Sequence, residues 1–208
     1  MKKRYIFLLT VIAILAFGIA FPFLQAANQM REYLQVVDPH FAPHVKLFAT
    51  YNPVDGAFNM RITDESGSSI FLERVSNGRI IDEVRADKYL EENRISSHFT
   101  AADNSIGYLH CFWKYNAPEE PVFLLSVHNR GGISATSEAQ LEEILKERML
   151  AHYEQLPDIV TERLFRCHTA YQSDSAMYRV TVFTTSEDSF YSILNQAELV
   201  KEELDRHS

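Results

Sequence analysis

Two cysteines and eight histidines are the residues of this chain whose types suit nucleophilic, redox or metal chemistry. Cys111 in LHCFW and Cys167 in FRCHT each fall inside a segment that reads as a strand. In an oxidising compartment such a pair favours a disulfide, and closing a long loop constrains the unfolded chain by about 3–5 kcal/mol. The other reading, two buried thiols packing as small apolar groups, stays equally open, because sequence spacing carries no distance. Each cysteine has a histidine next to it, His110 and His168. Neighbours along a strand point to opposite faces, so neither pair makes a Cys/His nucleophile.

The other chemical candidates are weaker still. DPHFAPH sets His40 and His44 four residues apart with Asp38 close by. That spacing binds zinc on a helix, but Pro39 and Pro43 break the helix, and no Glu stands between the histidines as in a metalloprotease motif. NRGGIS, residues 129–134, lacks the Lys and Ser/Thr of a phosphate loop, and no G-x-S-x-G occurs. It reads as a glycine-rich turn, with His128 beside it as a base lacking an identifiable partner. Glu91 and Glu92, Glu142 and Glu143, and Glu202 and Glu203 belong to expected solvated helix faces, whereas acid/base catalysis needs two carboxyls converging in a cleft. No catalytic, cofactor-binding or metal site is assigned, and no cofactor is expected. Phe112, Trp113 and Tyr115 form the densest aromatic cluster; at strand spacing they suit a core, and if exposed they mark a contact surface for a protein or peptide.

The elements that would position these residues are legible from periodicity. NQMREYLQVV has helical spacing and ends at Pro39 and Pro43. VKLFATY and AFNMRI alternate as strands around the turn NPVDG, and IFLERV follows the polar TDESGSS. After the turn signal in SNGRIIDEV, ADKYLEENRISSHF reads as a helix. The second half repeats the theme: strands IGYLHCFWKY and PVFLLSVHN, then the best helix of the chain, SEAQLEEILKERMLAHYEQL, with Leu141, Ile144, Leu145, Met149 and Tyr153 in one stripe. Ser137 or Thr136 is its expected N-cap. DIVTERLFRCHTAYQ and AMYRVTVFTT form a hairpin, and DSFYSILNQAELVKEELDRH ends the chain as an acidic helix. Local strand pairing between covering helices is the α+β signature. Residues 27–103 make the first unit and 104–208 the second, with a loose boundary near Ala101 to Ser105.

Ahead of these units the sequence changes character. MKKR precedes a segment without charge from Tyr5 to Leu24, which is the length a bilayer-spanning helix needs rather than the shorter core of a signal peptide. Residues 5–26 are therefore expected to be a transmembrane anchor, with a cleaved signal peptide as the alternative because Ala26 and Ala27 follow. The positive cluster puts residues 1–4 in the cytoplasm and the remainder outside, giving a single-pass cell-membrane protein, or a secreted one after cleavage. The formal charge of the chain is −8; without Lys2, Lys3 and Arg4 the remainder stands at −11. Such an acidic remainder excludes a nucleic-acid partner, which needs clustered Lys and Arg.

The leading segment, with REYLQ, VKLFATYNPVDGAFNMRITDES and IFLERVSNGRIID, resembles the YfjL-like group of small anchored bacterial proteins. The matching positions are Tyr51, Asn52, Pro53, Gly56, Gly78 and Asp82, over the first half of the chain. The resemblance implies an N-terminal membrane segment followed by a helix and strands, and no particular activity. The function expected from all of this is a non-enzymatic binding or accessory module of the bacterial envelope, meeting another envelope protein or a peptide at its sheet edges. The alternative is an envelope hydrolase or thiol-redox protein using His128, His168 or a cysteine.

Overall fold

The computed structural model describes residues 2–53, 56–75, 78–129, 132–173, 175–184 and 189–203, with the side chains of 2–10 and 12–14 outside the description. Among the described residues there are ten strands and five α-helices, in a mostly antiparallel α+β arrangement. The chain divides into two compact units, residues 1–85 with 112–120, and residues 86–111 with 121–208. The division passes through strands β6 (Ile106–Lys114) and β7 (Ala117–His128) rather than through residues 101–105.

The first unit begins with α1 (Lys2–Val37), a single helix that joins the expected anchor and the expected exit helix without a break. Its last turns supply the packing face: Ala26, Ala27, Met30, Tyr33 and Leu34 are fully buried, at the three- and four-residue spacing of one helix side. Its earlier turns differ, since Leu15, Phe17, Ile19 and Phe21 are 49–71% exposed. Among the described residues no helix is long and apolar enough to cross a membrane. The expected anchor at residues 5–26 falls in part on side chains outside the description.

After a 3-10 turn at Ala42–His44 come β1 (Thr50–Asn52), β2 (Ala57–Thr63), β3 (Ser69–Val75) and β4 (Arg79–Ile81), an antiparallel meander. The strand expected from Val45 begins only at Thr50, where pairing with β2 starts opposite Asn59, and Leu47 and Phe48 stay exposed. In β2 the alternation holds: Phe58, Met60 and Ile62 are buried while Arg61 and Thr63 are exposed. The β1–β2 hairpin pairs Asn52 with Ala57 around the expected turn, whose residues 54 and 55 lie outside the description. Gly78 stands just before β4 at a φ of +69°, with the Tyr115 ring so close that a Cβ there would stand 2.9 Å from it. Only glycine combines that backbone with that contact.

Helix α2 (Glu83–Glu92) is shorter than the periodicity suggests. Arg94 takes a left-handed φ of 56°, and the amides of Ile95 and Arg94 turn back to the carbonyls of Leu90 and Glu91, which ends the helix in a Schellman arrangement. The expected helix tail then becomes β5 (His98–Thr100), paired with β6.

In the second unit, α3 (Glu138–Tyr153) starts at Ser137, whose hydroxyl accepts from the Gln140 amide. It turns Leu141, Leu145, Met149 and His152 inward. Helix α4 (Asp158–Thr161) leads into β8 (Leu164–Gln172), then β9 (Ala176–Phe183), α5 (Phe190–Gln196) and β10 (Val200–Glu203). Strands β7 and β8 are parallel because the chain returns through α3 before re-entering the sheet. The acidic helix expected at the C-terminus is a correction. Ala197 and Val200 continue the apolar spacing, yet Ala197 turns extended, the helix stops at Gln196, and Val200–Glu203 pairs with the edge of β9 instead.

Candidate functional site

The second unit brings three histidines to one sheet face. In the parallel register His168 lies opposite Ser126, and His128 lies opposite Ala170, so the two imidazoles occupy neighbouring rungs on the same side. The antiparallel register of β8 and β9 sets Thr181 beside His168, Arg179 beside Ala170 and Phe183 beside Arg166. Alternation puts Arg166, His168 and Ala170 on that face, with His110 of β6 near enough to act electrostatically on His168. Tyr108 meets His128 edge-on, with ring centroids 5.0 Å apart.

A depression of about 320 Å³ lies over this face, floored by Ala170 and walled by His128, His168, Gln172 and Met177. Asn129 at its rim is fixed: its amide donates to Thr169 Oγ1 at 2.9 Å and to the Ala170 carbonyl at 2.7 Å, and its Oδ1 accepts from Arg148 at 2.8 Å. Among the described residues two buried nitrogens here lack a partner, His168 Nδ1 and Arg166 Nε. Burial pushes the His168 imidazole down to about 4, reinforced by the neighbouring Arg166, His110, His128 and Arg179. Burial and His128 lower His110 as well.

The cysteines occupy the opposite side. Cys111 and Cys167 are 5% and 0% exposed, and no disulfide joins them. Strand β7 lies between β6 and β8, so their backbones are about 9–10 Å apart, beyond the span a disulfide bridges. Burial raises the Cys167 thiol far above its ordinary range, which leaves no thiolate for nucleophilic or redox chemistry.

A second polar cluster in this unit resembles a hydrolytic triad in composition only. Ser105 Oγ donates to Asp103 Oδ1 at 2.6 Å and meets His152 Nε2 at 2.8 Å. The serine proton is thus directed at the carboxylate rather than at the imidazole, the reverse of an activated nucleophile. Ser105 and His152 are both 0% exposed, and a Cβ on Gly107 would stand 2.8 Å from His152 Nδ1, so no substrate has room. Asp103 Oδ2 also holds Arg148 at 2.7 Å. The cluster therefore ties the 101–105 loop to α3.

The aromatic group of the first unit is likewise a correction to a contact surface. Trp113 is 0% and Phe112 8% exposed, and Tyr115 is half-buried against Gly78. The Arg85 guanidinium covers Trp113 at 4.6 Å and Tyr33 at 5.7 Å, while donating to the Pro118 carbonyl at 2.7 Å and Tyr33 Oη at 3.1 Å. Tyr33 in turn donates to Asp82 at 3.1 Å, and burial beside that carboxylate raises its phenol well above the usual range. His40 pairs with Asp64 at 2.9 Å rather than forming a metal pair with His44, and among the described residues no group of three His, Cys, Asp or Glu is placed to hold a metal. Residues 130 and 131 of the NRGGIS turn lie outside the description.

No family model matches this chain, and neither a curated protein nor a solved structure matches it.

Sequence reasoning named His110, His128 and His168 singly but missed that they meet. It also missed Arg166, Arg179, Ser105 and His152. For His152 a signal existed: it continues the Leu141, Leu145, Met149 stripe at three-residue spacing, which marks it as a core histidine.

Proposed function

We propose that this protein is a bilayer-anchored binding module with its folded units outside the cytoplasm. The observation that carries the reading is the contrast along α1: four exposed large apolar side chains between Leu15 and Phe21, then a fully buried face from Ala26 to Leu34, in one helix. Exposed apolar residues on all sides of a helix need a cover that water does not supply. The uncharged run Tyr5–Leu24 is about 30 Å long as a helix, which matches the hydrocarbon thickness. Signal cleavage next to Ala26 would cut inside a helix packed into the core, so the anchored form is favoured over the secreted one. Binding rather than catalysis is favoured because the thiols and the Ser105–His152 pair are buried, whereas the histidine face of the second unit is open. A hydrolase or thiol-redox reading has less support for the same reason. The resemblance to the YfjL-like group agrees with anchoring and adds no activity.

The test is alkaline carbonate extraction of membranes containing the full chain, with intact mass and external protease treatment. Retention in the pellet at full mass, with the folded part digested only from outside, is the expected outcome. Release by carbonate, or a mass short of about the first 26 residues, overturns the anchor. The double variant Phe17→Glu, Ile19→Lys should shift the chain out of the membrane fraction.

A further inference from the structure

We propose that the depression over Ala170 binds a small oxyanion, a carboxylate or a phosphate group, held by His128 and His168 on its walls, with Arg179 in the adjacent strand. This rests on the binding-module reading and names the chemistry of its ligand.

The register supplies the geometry. Ala170 is the small residue in a row that runs His128, Ala170, Arg179 across three strands, and His168 stands one rung away on the same face. Ala170, a side chain without reach, leaves a recess whose walls carry the His128 and His168 rings. His168 Nδ1 is a buried nitrogen with no partner among the described residues, and Asn129 is already committed to Thr169, the Ala170 carbonyl and Arg148, so its side chain holds the rim rather than the ligand.

Charge sets the sign of the ligand. The chain as a whole carries −8, yet the groups facing His168 are His128 from β7, His110 from β6, Arg166 from its own strand and Arg179 from β9. Glu202 of β10 meets Arg179 at 3.2 Å in a pair whose members are both more than half exposed. An exposed pair of this kind is weak and exchanges readily with another carboxylate or phosphate. Arg166 and Arg179 beside the recess draw anions locally, while the acidic remainder of the surface repels them. A metal ion is the competing occupant, and it fits less well because the facing guanidinium groups repel it.

Proton uptake should accompany binding. His168 is held neutral by burial and by its cationic neighbours, and an oxyanion beside it supplies the opposite charge that favours imidazolium. Affinity therefore rises as pH falls toward the histidine range.

The experiment is a titration of the full chain in non-ionic detergent at about pH 6, reading histidine ring resonances assigned by single substitutions. Inorganic phosphate and acetate are separate probes, with chloride at matched ionic strength as the control. The expected result is a saturable shift of the His128 and His168 resonances with one or both oxyanions and none with chloride; whichever probe saturates first identifies the source as phosphate or carboxylate. His168→Gln should weaken the His128 response roughly tenfold, the loss of one charge-assisted hydrogen bond. Ala170→Leu fills the recess without changing charge and should abolish it, while unchanged resonances elsewhere show that the variant is folded. No saturable shift in the parent protein, or an undiminished shift in Ala170→Leu, overturns the proposal. A response to zinc in place of the oxyanions overturns it too. Membrane retention is measured separately, so a chain that stays in the pellet but ignores oxyanions loses only this inference.

Discussion

Replacing Arg85 with methionine removes the charged cover of Trp113 while keeping most of the aliphatic stem. The guanidinium lies 4.6 Å from the indole ring, and its hydrogen bond to the Pro118 carbonyl is 2.7 Å. A part-buried cation over an indole contributes about 1–2 kcal/mol. A hydrogen bond from a charged donor contributes about 1.5–3 kcal/mol, and its loss takes this partner from the carbonyl of a buried proline. Methionine recovers roughly 1 kcal/mol through packing of its chain. The net loss is about 2–4 kcal/mol, since the two contributions share one group and do not add in full. For a chain of this size that lowers the thermal midpoint by roughly 5–15 °C. Trp113 is the only tryptophan, so its fluorescence reports the first unit alone. Urea unfolding followed at this residue gives the measurement, and Arg85→Lys, which keeps a charge but loses the planar fork, should cost about half as much. A loss below about 1 kcal/mol for Arg85→Met, or equal losses for Met and Lys, would refute the assignment of Arg85 as the cap of this core.

Acid should destabilise the second unit before it affects carboxylates. Burial lowers His110, His152 and His168 from the ordinary value of 6.5, with His168 at about 4, so the unfolded chain takes up protons in a range where the folded one does not. Stability is then full above 6.5 and falls as pH drops toward about 4; urea midpoints measured across that window should decline, and His168→Gln should flatten the decline. Neither cysteine should react with a thiol reagent in the native protein, and both should label on unfolding without prior reduction. Rapid native labelling of either one would return the thiol chemistry to consideration.

Local chemistry was legible where it acted over a few residues. Ser137 caps α3 as its position suggests, Gly78 takes a positive φ just before β4, and the alternation of Phe58, Met60 and Ile62 gives β2 its buried face. What escaped depends on pairing between distant segments. Val200–Glu203 has helical neighbours and acidic composition, yet the free edge of β9 offers it a ladder, and that partner is invisible in the local sequence. The histidine face escaped for the same reason: His128, Ala170 and Arg179 are far apart in sequence and fall into one row only through two strand registers. The expectation of strand neighbours facing oppositely was enough to separate each cysteine from its adjacent histidine, because that rule needs no partner.

The unbroken run of α1 from Lys2 to Val37 has a mechanical meaning. At about 1.5 Å per residue it is a strut of roughly 54 Å, welded at one end into the first unit by Ala26 to Leu34. A flexible tether lets its cargo sweep a hemisphere of membrane, whereas a strut holds it at a set stand-off and transmits tilt and rotation. Pro22, which removes one rung of the helical ladder, is the joint at which that strut would bend. On the anchored reading, the first unit is thus a fixture oriented by the bilayer, and whatever it meets must come to the height at which it is mounted.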